Sequence, residues 1–144
     1  MEFYTKELMS SEVNMIVGFQ LDYLKSELSR DVLENKILDV LNKDNEKIYI
    51  AVSEDEVIGY IYANTYDVLY REPIANIVTF VLNMNKKHNG VGKTLIDAVE
   101  NWAKEKNMKE VRLVSDKNRT HAHSLFKKLG YEINETDFEF KKSI

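Results

Sequence analysis

At 144 residues with 44 % apolar side chains, the chain is long enough for a single domain that buries roughly 70 % of its unfolded surface. It carries no cysteine, which excludes a disulfide framework, a thiol nucleophile and a zinc site resting on thiolates. The formal charge of −4 argues against nucleic acid and suits a cationic substrate, no apolar stretch approaches the ~20 residues that cross a bilayer, and the N-terminus lacks a basic region followed by an apolar one, so no membrane partner is expected and the cytoplasm is the default compartment.

In chain order, Phe3 and Tyr4 suggest a short strand, and Ser10 or Ser11 can cap a helix carrying Val13, Ile16, Val17, Gln20, Leu21 and Leu24. A second helix opens at Ser29 or Asp31 and shows an apolar stripe of Val32, Leu33, Ile37, Val40 and Leu41. Lys47 to Val52 and Val57 to Ala63 read as β-branched and aromatic strands, joined into a hairpin by Ser53-Glu54-Asp55-Glu56. Residues 64 to 74, with the only proline at Pro73, are a connection. Ile77 to Leu82 is apolar on both faces, which predicts a central strand covered above and below. After it come the loop Lys87-His88-Asn89-Gly90-Val91-Gly92 and a helix with Val91, Leu95, Val99 and Trp102 on one face. Glu110 to Ser115 alternates as a strand. Arg119 to Tyr131 reads as a helix with Ala122, Leu125, Phe126 and Leu129 on one face and Gly130 at the position after its end. The order βααβββαβαβ(β), with no internal repeat, predicts one mixed α/β domain over residues 1–144.

The loop at Lys87 carries the chemistry. A strand, a glycine-bearing loop and a helix start make an anion cradle, because the first helical N–H groups lack intrahelical partners and point to one place, where the macrodipole adds positive charge. Gly90 and Gly92 permit a close approach of backbone to phosphate or a positive φ. Gly92-Lys93-Thr94 resembles the end of a nucleotide-hydrolase P-loop, but that motif requires a glycine where this chain has Lys87.

The spacing Lys87-x-x-Gly90-x-Gly92 instead resembles the Arg/Gln-x-x-Gly-x-Gly/Ala signature of the GNAT acetyltransferases. The closing segment around Ala122, Phe126, Gly130 and Tyr131 is similar to that family as well, and the resemblance covers about residues 46 to 140. It implies a single domain with a central mixed, partly splayed sheet flanked by helices, using acetyl-coenzyme A as cosubstrate and no metal. The implied cofactor contacts are Leu82, Met84, Lys87, His88, Asn89, Gly90, Val91, Gly92, Lys93, Arg119 and Phe126. The implied reaction is direct transfer of acetyl to a primary amine of a small molecule or protein, with the Leu82 backbone N–H donating to the developing oxyanion. A homodimer is compatible with it, since loops in this fold often complete the acceptor site from a second subunit. The alternative is a binding module, an acyl-coenzyme A sensor or partner-binding protein that kept the cradle and lost turnover.

An amine with a pKa of ~10.4 is almost wholly protonated near neutrality, a cost of ~4 kcal/mol unless a base removes the proton. Glu72 and Asp116 are the candidate bases, with Asp67 behind them; each also reads as a solvated surface charge. Phe126 stands where many family members carry a tyrosine thought to protonate the departing thiolate, and it has no hydroxyl to do so. Lys87 meets phosphate as a point charge without the bidentate fork of arginine. Asn118 is displaced by one position from the asparagine common in the family, where Arg119 stands. Tyr60, Tyr62 and Tyr66 share one face of an extended segment and either line an acceptor pocket for a cation or pack the hairpin on the first two helices. His88, His121 and His123 are too scattered in sequence for a metal site.

Overall fold

In the computed structural model, which describes residues 2–86, 89–135 and 137–144, the expected elements form in the expected order up to the last helix. They are β1 (Tyr4–Glu7), α1 (Val13–Asp22), α2 (Arg30–Leu41), β2 (Glu46–Ser53), β3 (Glu56–Tyr66), β4 (Ile74–Leu82), α3 (Val91–Glu105), β5 (Val111–Leu113) and α4 (Thr120–Lys128). The chain divides into two compact units, Met1–Val114 and Ser115–Ile144.

The first unit is built on a five-stranded sheet in the order β1-β2-β3-β4-β5. The pairs from β1 to β4 are antiparallel and β4 with β5 is parallel, so the sheet is mixed. Ile48, Ile50 and Val52 of β2 and Tyr60 of β3 share one face with Ile16, Val17 and Phe19 of α1 and Leu33 and Ile37 of α2. α3 packs on strands β1 to β4, and its stripe of Leu95, Ile96 and Val99 is fully buried, with Trp102 beside it. Each such side chain contributes about 1.5–3 kcal/mol by leaving water, so a charge at Val99 would unseat the helix.

Local chemistry moved several boundaries. Neither Ser10 nor Ser11 caps α1; they form a 3-10 turn, Ser10–Glu12, and the N–H of Met9, the residue before it, donates to the Glu12 carboxylate at 3.0 Å. Lys6 donates to the same carboxylate at 2.5 Å and holds its pKa below the ordinary value. α1 stops at Asp22, which leaves Leu24 outside it. The Ser29 hydroxyl caps α2, accepting from Val32 N–H at 3.3 Å, and Val32 itself is exposed. The hairpin turn is tighter than expected: Glu54 and Asp55 both take positive φ, 52° and 62°, as a turn matched to strand twist requires, and β2 and β3 run up to it. β4 begins at Ile74, since the proline before it ends the connection.

The second unit holds α4. Gly130 takes φ +92°, its N–H donates to Lys127 and that of Tyr131 donates to Phe126, which closes the helix with paired carbonyls as the glycine's position predicts. No strand follows α4 among the described residues, so the expected final strand is not formed there.

Candidate functional site

β3 pairs with β4 along its whole length, from Ile74 to Leu82, whereas β5 pairs with it only at Ala75, Asn76 and Ile77. β5 ends at Leu113, and the chain then turns at Asp116, whose side chain accepts from Asn118 N–H at 2.8 Å and whose carbonyl accepts from Arg119 N–H at 3.1 Å. From Val78 to Leu82 no strand lies on the second side of β4 among the described residues. Asn83 N–H donates to the Ile58 carbonyl at 2.8 Å, toward β3. Strand alternation therefore turns the N–H and carbonyl of Leu82 to the opposite, unladdered edge.

Two residues that sequence reasoning passed over shape this edge. Gly59 stands opposite Leu82, and a Cβ there would lie 2.9 Å from the Val81 carbonyl oxygen and 3.0 Å from Leu82 Cδ2. An isolated glycine inside a strand pattern was the available signal. Tyr23, just past α1, donates its hydroxyl proton to the Leu82 carbonyl at 3.3 Å and accepts from Met84 N–H at 2.9 Å. Nothing in the residue pattern marks that long-range contact.

Eight positions beyond Leu82, Gly90 begins α3 with φ +90° and no side chain to cap it. The first intrahelical bond runs from Thr94 N–H to the Gly90 carbonyl at 3.0 Å, so the N–H groups of Val91, Gly92 and Lys93 lack helical acceptors. Val91 and Gly92 are buried while Asn89 and Gly90 are exposed. Among the described residues, a Cβ built at Gly90 meets no atom within 4 Å beyond its chain neighbours and its own helix. The Lys93 ammonium is drawn back along the helix to Asp97, 2.7 Å away, and that hydrogen bond raises its pKa. Lys93 thus offers its backbone rather than its charge. Lys87 and His88 lie outside the described residues.

On the α1 and α2 face of the sheet a cavity of about 140 Å³ opens, walled by Ile16, Leu33, Ile37 and Ile48 and by the rings of Tyr60 and Tyr62. Tyr60 donates to Gln20 Oε1 at 2.6 Å, and Tyr62 donates to the Glu46 carboxylate. Burial pushes the Tyr60 phenol up to about 12, and burial followed by the Glu46 hydrogen bond raises Tyr62. Both are neutral near pH 7. Tyr66 is not part of this wall; the Arg112 guanidinium covers its ring at 4.5 Å.

The candidate bases fare differently. Glu72 is exposed just before β4, at the opposite end of that strand from Leu82. An extended strand rises about 3.4 Å per residue, so more than about 25 Å separates the two, and the structure does not bring them together. Asp116, Arg119 and Phe126 belong to the second unit. There Asp116 and Arg119 are exposed, and Phe126 is buried with its ring centroid 6.2 Å from that of Tyr131. His123 lies 3.2 Å from the Ser115 hydroxyl. Among the described residues no group of three or more His, Asp or Glu side chains is placed to hold a metal ion, and no helix is long and apolar enough to cross a membrane.

A family model described as acetyltransferase (GNAT) family matches residues 14–131. No curated protein matches the chain by sequence. Among solved structures, AAC(6')-Iy in complex with the bisubstrate analogue CoA-S-monomethyl-acetylneamine is similar over 100 % of both chains, with a TM-score of 0.87 at 19 % identity. The aminoglycoside 6'-N-acetyltransferase AAC(6')-Ih of Acinetobacter baumannii is similar over 99 % of both chains, with a TM-score of 0.83 at 18 % identity. A predicted acetyltransferase from Clostridium acetobutylicum, solved with acetyl-CoA, covers 97 % of this chain and 96 % of its own at a TM-score of 0.79 and 16 % identity. At these identities the likeness is one of fold.

Proposed function

Because the chain belongs to the acetyltransferase (GNAT) family, we propose that it transfers the acetyl group of acetyl-coenzyme A directly to a primary amine on a small molecule or protein. The observation that carries this reading is the unladdered edge of β4 ending at Leu82, close in sequence to the uncapped start of α3. The two features fit the two parts of the cosubstrate. The α3 N–H groups suit a pyrophosphate, with Lys87 adding charge as the sequence motif implies. The β4 edge suits an extended arm bearing amides, which would meet the Leu82 and Met84 backbone as another strand would. Family-model coverage of residues 14–131, spanning the boundary between the two units, supports one acetyltransferase domain.

In the reaction the amine nitrogen attacks the thioester carbonyl, a C–N bond forms, the C–S bond breaks, and the sulfur leaves with the electron pair. The Leu82 N–H donates to the oxygen as it gains negative charge. No acyl-enzyme is required, in keeping with a chain that lacks cysteine. The proton lost by the amine passes to water or to a carboxylate other than Glu72, which is remote from Leu82. Phe126 has no proton to give, so the thiolate, with intrinsic pKa ~8.5, takes one from solvent or leaves unprotonated. The cavity beneath Tyr60 and Tyr62 is the acceptor pocket in this reading. Aminoglycosides, for which AAC(6')-Ih is named, are among the acceptors to be tried, and the cytoplasm is the expected compartment. Thiol release from acetyl-coenzyme A across a panel of amines tests the proposal; binding of the cosubstrate without any amine-dependent release would favour the sensor alternative.

A further inference from the structure

Resting on the acetyl-transfer reading, we infer that the acceptor is a monoamine carried on an apolar stem, not a polycation. The two phenol tips at the cavity are already committed to polar partners. The Tyr60 hydroxyl is spent on Gln20, and Glu46, which accepts from Tyr62, also pairs with Lys43 at 3.2 Å. What faces an occupant is mostly hydrocarbon from Ile16, Leu33, Ile37 and Ile48 together with two neutral phenol rings, and the uncharged polar residues of the lining are Gln20 and Thr79. The charged side chain on the cavity's lining is a cation, Lys36, exposed on α2.

A polycation would have to shed water from several ammonium groups with no carboxylate among the described lining residues to receive them, and it would meet Lys36 on the way in. An apolar stem meets neither obstacle. Size agrees: a dry cavity of ~150 Å³ lined by Leu, Ile and Phe takes up benzene, and this one measures about 140 Å³. So does reach. Thr79 lines the cavity and precedes Leu82 on β4 by about 10 Å of extended strand, the span of a stem of roughly six to eight carbons. Such a stem also eases the protonation problem, because an amine drawn out of bulk water at the end of an apolar chain loses its proton more readily than a solvated one.

The test measures kcat/KM with hexylamine, 2-phenylethylamine, spermidine and kanamycin for the parent and for Lys36→Glu, an exposed position where folding is retained. The two apolar monoamines should exceed spermidine by about tenfold or more in the parent. Lys36→Glu should shift the spermidine-to-hexylamine ratio toward spermidine by about three- to tenfold, less at high salt. A second measurement is independent of turnover: hexylamine added without acetyl-coenzyme A should shift the amide resonances of Ile37, Val40, Tyr62 and Thr79. If those resonances move but no amine releases thiol, the groove assignment stands and the acetyl-transfer reading falls. If spermidine or kanamycin is the better substrate and Lys36→Glu leaves the ratio unchanged, the inference is overturned while acetyl transfer survives. Resonances that stay fixed at every amine concentration overturn it too.

Discussion

Met84 N–H donates to the Tyr23 hydroxyl at 2.9 Å, and that hydroxyl donates onward to the Leu82 carbonyl at 3.3 Å. Tyr23 thereby satisfies two of the backbone groups at the β4 edge that an amide-bearing ligand would use. Its ring is held by stacking on Phe19, 5.1 Å between centroids, and Phe19 in turn meets Tyr60 edge-on at 5.9 Å. One aromatic run therefore connects the β4 edge to the wall of the cavity.

Tyr23→Phe keeps that run and removes the competing hydroxyl. Displacing a neutral hydrogen bond costs about 0.5–1.5 kcal/mol, so coenzyme A should bind roughly two- to tenfold more tightly to the variant by calorimetry. Weaker binding would mean that the hydroxyl stays in place and contacts the ligand itself.

Gly90 tests the cradle. Its φ of +90° penalises any Cβ-bearing residue, yet among the described residues a Cβ there meets no atom within 4 Å beyond its chain neighbours and its own helix. Gly90→Ala should therefore cost about 1 kcal/mol of folding stability. Its methyl group projects beside the helix start where the pyrophosphate is expected, and the variant should lose about tenfold or more in coenzyme A affinity. Equal calorimetric affinities of parent and variant would remove the loop from the site.

Tyr60 makes a prediction about alkaline stability. Its folded pKa is raised from 10.0 to about 12 by burial, so the unfolded chain ionises first. The stabilisation is complete below about pH 10 and is lost as pH rises through about 12, with a slope of up to about 1.4 kcal/mol per pH unit from this residue. Tyr60→Phe gives up the bond to Gln20, about 1 kcal/mol at neutral pH, but does not titrate. Urea unfolding at pH 8 and at pH 11 should show the parent's advantage shrinking or reversing. Parallel losses in the two proteins would mean that the phenol ionises freely when folded.

Phe126→Tyr tests what the family motif implies. Ring volume is nearly conserved, so the variant should fold. If the position serves the leaving group, the new hydroxyl should hold or raise kcat and add or shift a limb at high pH on a single amine substrate. An identical rate and pH profile, with normal cosubstrate binding, would assign that proton to solvent.

Much of the fold was legible because it rests on local, repeated signals. The stripe through Leu95, Val99 and Trp102 placed α3, and Gly130 marked the end of α4, where it takes positive φ. Gly90 at the start of α3 was legible for the same reason, since its positive φ suits few other residues. What escaped depends on contacts between distant positions. Gly59 matters because Leu82 lies across from it, and Tyr23 because a helix end delivers it to β4. Tyr66 shared a strand face with Tyr60 and Tyr62 by alternation, yet Arg112, from another strand, occupies its ring. Glu72 was attractive as a carboxylate before the central strand, and the direction of that strand carries it away from Leu82.

The most direct test of the account is free thiol released from acetyl-coenzyme A in the presence and absence of amine, with the acceptor's mass measured in the same reaction. Acetyl transfer at the β4 edge predicts release that depends on amine, matched one for one by an acceptor heavier by an acetyl group. Tight coenzyme A binding accompanied by no amine-dependent release, across apolar monoamines, polyamines, aminoglycosides and peptide amines, would contradict it and leave a protein that holds the cosubstrate without using it.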